Sequence, residues 1–91
     1  MPSGTRIADY LDAIAYRRYA RSVMEERRRL LGYAVSVGDY NWLSTAPLET
    51  VIAAVSARFQ LRSRRSQQHL RAVVEDYRAW RRQREEDEDG A

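Results

Sequence analysis

From Leu48 to Asp89 the chain contains neither glycine nor proline, the two residues that most readily end a helix. One helix could run from Leu48 to Glu86, with Leu48, Ile52, Val55 and Phe59 opening its apolar seam and Leu70, Val73, Tyr77 and Trp80 closing it. That helix would place Arg62 and Ser66 in the middle of the seam. The whole stretch from Arg62 to His69 holds no apolar side chain. Helices average about 11 to 12 residues, so one of nearly 40 is also out of scale for a small domain. A break between Phe59 and Arg64 removes both difficulties. It predicts one helix near 47 to 60 and another near 63 to 84.

Upstream, Ser3 or Thr5 is a candidate N-cap, and Asp9 stands early in the helix where a carboxylate suits the dipole. A long first helix to about Val35 is expected, interrupted by no proline and only by Gly32. Its apolar stripe changes side. Ile7, Tyr10, Leu11 and Ile14 share one face, whereas Tyr16, Tyr19, Val23, Leu30 and Ala34 follow a roughly opposite one at about 100° per residue. Either the helix bends near Ala15 or it packs against two partners. In the second case Ile7, Tyr10, Leu11 and Ile14 are a dimer contact, with Trp80 adding to it.

Gly38, Asp39 and Asn41 then break the period as turn formers, leaving Tyr40, Trp42 and Leu43 as loop side chains tucked onto the core. Pro47 suits the first turn of a helix, with Ser44 or Thr45 near its cap. No strand signal of useful length occurs. The expected fold is all-α: a compact three-helix bundle over residues 1–84, followed by a disordered acidic tail at 85–91.

Split at the break, residues 51–74 resemble the bacterial and phage-type helix-turn-helix DNA-binding motif. Val55 and Phe59 correspond to the anchors of the supporting helix, Leu61 to the apolar residue of the turn, and Leu70 to the last anchor of the recognition helix. Ser63 is placed to cap that helix. Gln60 stands where the motif usually has glycine, Arg62 where it has a small polar residue, and Ser66 where it is normally apolar. The resemblance implies a helix-turn-helix over 47–84 that reads the major groove of double-stranded DNA.

The chemistry of the segment points the same way. Arg62, Ser63, Arg64, Arg65, Ser66, Gln67, Gln68 and Arg71 are the candidate DNA-binding residues. Arginine pairs with guanine O6 and N7, and glutamine with adenine N6 and N7, while serine hydroxyls reach phosphate. No carboxylate lies between Gln60 and Val74 to repel a phosphate backbone. All 16 basic residues of the chain are arginine, which never deprotonates and forms forked bonds to phosphate. The net charge of +3 understates this, because five acidic residues are gathered in the terminal "EEDED" run. A second basic surface, formed by Arg6, Arg17, Arg18, Arg21, Arg28 and Arg29, is expected on the first helix as a solvent face.

Other classes find little support. There is no cysteine and one histidine, His69, which excludes a disulfide framework and leaves no ligand cluster for a metal. No nucleophile–base arrangement surrounds His69, and the four glycines are scattered singly, so neither an enzyme nor a cofactor is expected. Glu25 and Arg29 form a favourable i,i+4 pair, in keeping with surface ion pairing. No apolar run reaches the roughly 20 residues of a membrane span, and the start lacks a signal-peptide pattern, so the cytoplasm is the expected location. The favoured reading is a small dimeric transcriptional regulator of phage or mobile-element type. The alternatives are an inhibitor or adaptor gripping an acidic protein partner, and a packaging subunit of a nucleoprotein assembly.

Overall fold

A computed structural model describes residues 4–89. The described chain holds five α-helices: α1 (Ile7–Ile14), α2 (Arg21–Val37), α3 (Tyr40–Thr45), α4 (Leu48–Phe59) and α5 (Arg64–Asp89). A 3₁₀ turn at Ala15–Arg17 follows α1. The three longer helices α2, α4 and α5 pack on one another, α1 lies against α2 and α5, and α3 lies against α2.

The long first helix is therefore two helices. Twenty residues at about 100° each put Leu31 some 200° round the axis from Leu11, so one straight rod cannot turn both into a single core. The chain solves this with a reversal at Arg18, which adopts left-handed φ 56°, after which Ala20 enters α2 from extended backbone. Tyr10, Leu11 and Ile14 are then buried together with Leu30, Leu31 and Ala34, and Ile7 packs beside them. This corrects the dimer contact: Ile7, Tyr10, Leu11 and Ile14 are covered by their own chain and need no second copy. Tyr16 and Tyr19, expected on the inner stripe, are exposed at the reversal.

The expected loop at 39–45 is the short helix α3. The Asp39 carboxylate accepts the Trp42 N–H at 2.7 Å, an N-cap that sequence spacing alone did not single out. Leu43 is buried as anticipated. Helix α4 starts directly after Pro47, whose carbonyl accepts the Val51 N–H at 3.1 Å. The hydroxyls of Ser44 and Thr45 bond back within α3 instead of capping α4.

The bend expected between Phe59 and Arg64 is present. Gln60 takes φ 57°, ψ 42°, the left-handed conformation that ends helices most often through glycine. The N–H groups of Gln60 and Leu61 both reach the Ser56 carbonyl, satisfying one of the orphan acceptors of α4. Holding a non-glycine residue there costs about 1 kcal/mol. Beyond the turn, Leu70, Val73, Val74 and Tyr77 are fully buried, and Trp80 is packed against them.

Residues 85–89, expected in a disordered tail, continue α5, and residues 90–91 lie outside the described chain. Acidic side chains at a helix C-terminus oppose the dipole. Here the opposition is offset one turn back, by Arg81 paired with Glu85 at 3.2 Å and Gln83 donating to Asp87 at 3.4 Å.

Candidate nucleic-acid interface

The turn and the start of α5 bring the eight DNA-binding candidates together but give them different tasks. Ser63 is the N-cap of α5: its Oγ accepts the Ser66 N–H at 3.0 Å and its carbonyl accepts the Gln67 N–H at 3.1 Å. Ser63 also donates its hydroxyl to Ser66 Oγ at 2.8 Å, which occupies a side chain that the motif would make apolar. Gln67 folds back over the turn, its Nε2 donating to the Leu61 carbonyl at 2.7 Å. That bond closes the turn that the missing glycine leaves short of an easy geometry.

Arg71 is held by Glu49 from the start of α4, with Nη2 to Oε2 at 3.0 Å and a second contact from Nη1. The hydrogen bond that Arg71 donates lowers the Glu49 pKa and raises that of Arg71. A carboxylate therefore does sit at this surface. It comes from a helix 22 residues away in sequence, where a scan of neighbouring positions does not look.

Arg62, Arg64, Arg65 and Gln68 remain. All four are exposed, and none has a side-chain partner among the described residues. Arg64 and Gln68 are four residues apart on one face of α5, with Arg65 about 100° round. The first N–H groups of α5, beyond the one that Ser63 takes, face the same solvent region.

Two further arginines are tied to this surface through a ring stack, Arg58, which spacing did not reveal, and Arg29, which was expected on the basic face of the first helix. Tyr33 of α2 and Phe59 of α4 stack face to face, with ring centroids 3.9 Å apart and planes 9° from parallel. Arg58 lies over the Phe59 ring at 5.7 Å, and Arg29 over the Tyr33 ring at 5.4 Å. Such placements are individually worth about 0.5 to 1 kcal/mol when exposed. Arg29 is offset by Glu26, with which it pairs in place of the expected Glu25; Glu25 instead takes Arg21 at 3.1 Å. Arg58 has no such carboxylate among the described residues, so four uncompensated guanidinium groups, Arg58, Arg62, Arg64 and Arg65, surround the turn.

The chain matches no known family model, no curated protein and no solved structure. Its surface must be read from its own geometry. The second basic surface expected on the first helix is divided by the reversal at Arg18, and Arg17 is drawn inward to Asp76 at 2.8 Å. Among the described residues no three His, Cys, Asp or Glu side chains stand together as metal ligands, and His69 is half-buried. Among the described residues no helix is long and apolar enough to cross a membrane.

Proposed function

We propose that this protein binds double-stranded DNA, in a helix-turn-helix manner, through the turn between α4 and α5 and the first turns of α5. A small regulator of phage or mobile-element type is the use that fits best. The observation that carries the reading is the set of arginines left without side-chain partners among the described residues at the capped start of a long helix. Guanidinium groups in that position meet phosphate oxygens in forked bonds, and the free N–H groups of a helix start favour the same anions. Of the two glutamines only Gln68 is free to approach a base edge, since Gln67 is bonded to Leu61. The affinity in this reading is mostly electrostatic, and the sequence preference comes from few contacts.

The test is a duplex titration at about 50 mM and 200 mM salt. Each phosphate neutralised contributes about −0.9 to the slope of log K against log salt, so contacts from Arg58, Arg62, Arg64 and Arg65 give a slope of about −3 to −4. Arg64→Ala and Arg65→Ala should each reduce that slope by about one unit. Absence of duplex binding at the lower salt, with the fold intact, overturns the reading.

A further inference from the structure

The later turns of α5 carry a second group of arginines, about 27 Å along the helix from Arg64 to Arg82 at 1.5 Å per residue. Arg78, Arg81, Arg82 and Glu85 form one wall of a cavity of about 180 Å³, and Asn41 and Ser44 of α3 lie on the other. By the roughly 30 Å³ that one water occupies, this has room for a tetrahedral oxyanion with part of its hydration.

The hydrogen bonds leave donors unused. Arg78 spends Nε on the Leu43 carbonyl at 2.8 Å and Nη2 on the Ala46 carbonyl at 2.6 Å, closing the C-terminal end of α3. Its Nη1 has no partner among the described residues. Arg81 reaches Glu85 with Nε and both the Tyr40 carbonyl and Ser44 Oγ with Nη1, leaving Nη2. Arg82 and the Asn41 amide have no side-chain partner among the described residues. Carbonyls carry no net charge, so among the described residues that line the cavity three guanidinium groups share one carboxylate, Glu85, an excess of two positive charges. Burial, reinforced by the Arg82 charge, lowers the Arg78 pKa, the mark of a cation short of a counter-charge.

From this arrangement we infer that the cavity between α3 and α5 is a binding site for a dianionic phosphoryl group, held by Arg78, Arg81 and Arg82 with Asn41 at its rim. The forked geometry of guanidinium suits phosphate oxygens, and two excess charges match a phosphomonoester, whose second pKa near 6 leaves it about doubly charged at neutral pH. A backbone diester carries only one charge. The site is thus distinct from the duplex surface at the start of α5 and does not depend on it.

The experiment titrates the full chain with methyl phosphate, dimethyl phosphate and chloride at constant ionic strength. Binding is followed through backbone and arginine side-chain NMR signals. Methyl phosphate should move the signals of Asn41, Ser44, Arg78 and Arg82 in a saturable way, and inorganic phosphate should do the same. Arg82→Ala, an exposed change outside the core, should weaken that binding about tenfold, in keeping with one lost charge-assisted bond. Asn41→Asp should weaken it further by placing a carboxylate at the rim. Arg64→Ala should leave it unchanged while reducing duplex affinity. Dimethyl phosphate binding as tightly as methyl phosphate would reassign the pocket to a diester backbone and overturn the dianion assignment. Equal responses to chloride, or unchanged affinity in Arg82→Ala, would overturn the site itself.

Discussion

Asp76 on α5 accepts the phenol of Tyr10 on α1 at 2.5 Å, across 66 residues of sequence. Arg17 and Arg27 close on the same carboxylate at 2.8 and 3.0 Å, and Arg27 also donates to the Tyr10 oxygen. One acidic residue thus ties together α1, the 3₁₀ turn, α2 and α5. Around it Tyr10, Tyr77 and Trp80 pack with ring centroids 5.7 to 5.8 Å apart. The same Tyr10 that looks from sequence like an outward dimer contact is the residue by which α1 is fastened down.

Asp76→Asn should therefore destabilise the protein by about 2 to 3 kcal/mol, because two partly buried guanidinium groups lose their counter-charge. Tyr10→Phe, which keeps the ring and loses the hydroxyl, should cost about 1 kcal/mol. Urea unfolding of the two variants checks both values. A loss under 0.5 kcal/mol for Asp76→Asn would mean that the packing of the rings alone holds α1.

The clasp also sets the pH range of stability. Burial raises the Asp76 pKa, but the hydrogen bonds from Arg17 and Tyr10 and the charges of Arg17 and Arg27 outweigh it, so the folded value lies below the ordinary 3.8. A depressed carboxylate contributes stability that is full above its unfolded pKa and lost as pH falls through the folded one. The contribution should therefore persist at pH 5 and disappear on acidification below about pH 4. Tyr10 has the opposite sign. Burial first, then the bond to Asp76, raises its pKa above the ordinary 10.0, so its share is full below pH 10 and is lost as the pH rises towards the folded value. Asp76→Asn should flatten the acid limb of a stability–pH curve, and Tyr10→Phe the alkaline limb.

Gln60 offers a test of backbone strain. With φ 57° it occupies a region that glycine enters without penalty, so Gln60→Gly should stabilise the protein by about 0.5 to 1 kcal/mol net of the greater freedom of the unfolded chain. Gln60→Val should destabilise it, since a β-branched residue resists positive φ. A lower melting temperature for Gln60→Gly would show that the Gln60 side chain, not its backbone, matters at the turn.

What sequence alone revealed follows from where each interaction lies. The break before Arg64 was legible because Arg62 and Ser66 cannot sit in a buried seam, and Ser63 as the cap follows from local chemistry. The switch of stripe near Ala15 was legible too, but its resolution was not. A reversal and a second partner predict the same pattern, and only the long-range contact of Tyr10 with Asp76 selects the reversal. Helix α3 was missed because six residues make too short a period to register, and the extension of α5 because its acidic end reads as a solvated tail unless Arg81 and Gln83 are counted against it. Gln67 and Arg71 looked free because their partners, Leu61 and Glu49, are supplied by folding and not by spacing along one helix, and Arg58 was overlooked because the ring it lies over, Phe59, is fixed by stacking on Tyr33 of α2.

The two glutamines should now part company. Gln67→Ala removes the bond to the Leu61 carbonyl and should lower stability by about 1 kcal/mol while acting on DNA only through the turn. Gln68→Ala should leave the melting temperature within about 1 °C and, if Gln68 meets a base, reduce affinity for a preferred site by roughly 1 to 3 kcal/mol. Thermal melts and titrations against specific and scrambled duplexes separate the two. Equal losses on both duplexes for Gln68→Ala would remove its base-reading role and leave only phosphate contacts.

Glu49 gives the sharpest check on how the arginine surface works. Its carboxylate holds Arg71 beside the start of α5, close to where a phosphate would lie, and the pair is solvent-exposed. An exposed pair of this kind adds little to stability, so Glu49→Gln should leave the melting temperature almost unchanged. Its effect on DNA should be large by comparison. The substitution removes a negative charge that repels the backbone and frees a cation on the same face as Arg64 and Gln68, seven and three residues before it. Duplex affinity at low salt should rise several-fold, and the salt slope should steepen by about one unit, as for one added phosphate contact. In the double variant Glu49→Gln, Arg71→Ala that extra slope should vanish. If the duplex instead binds Glu49→Gln no more tightly than the parent, Arg71 faces away from the nucleic acid and the contact surface ends near Gln68.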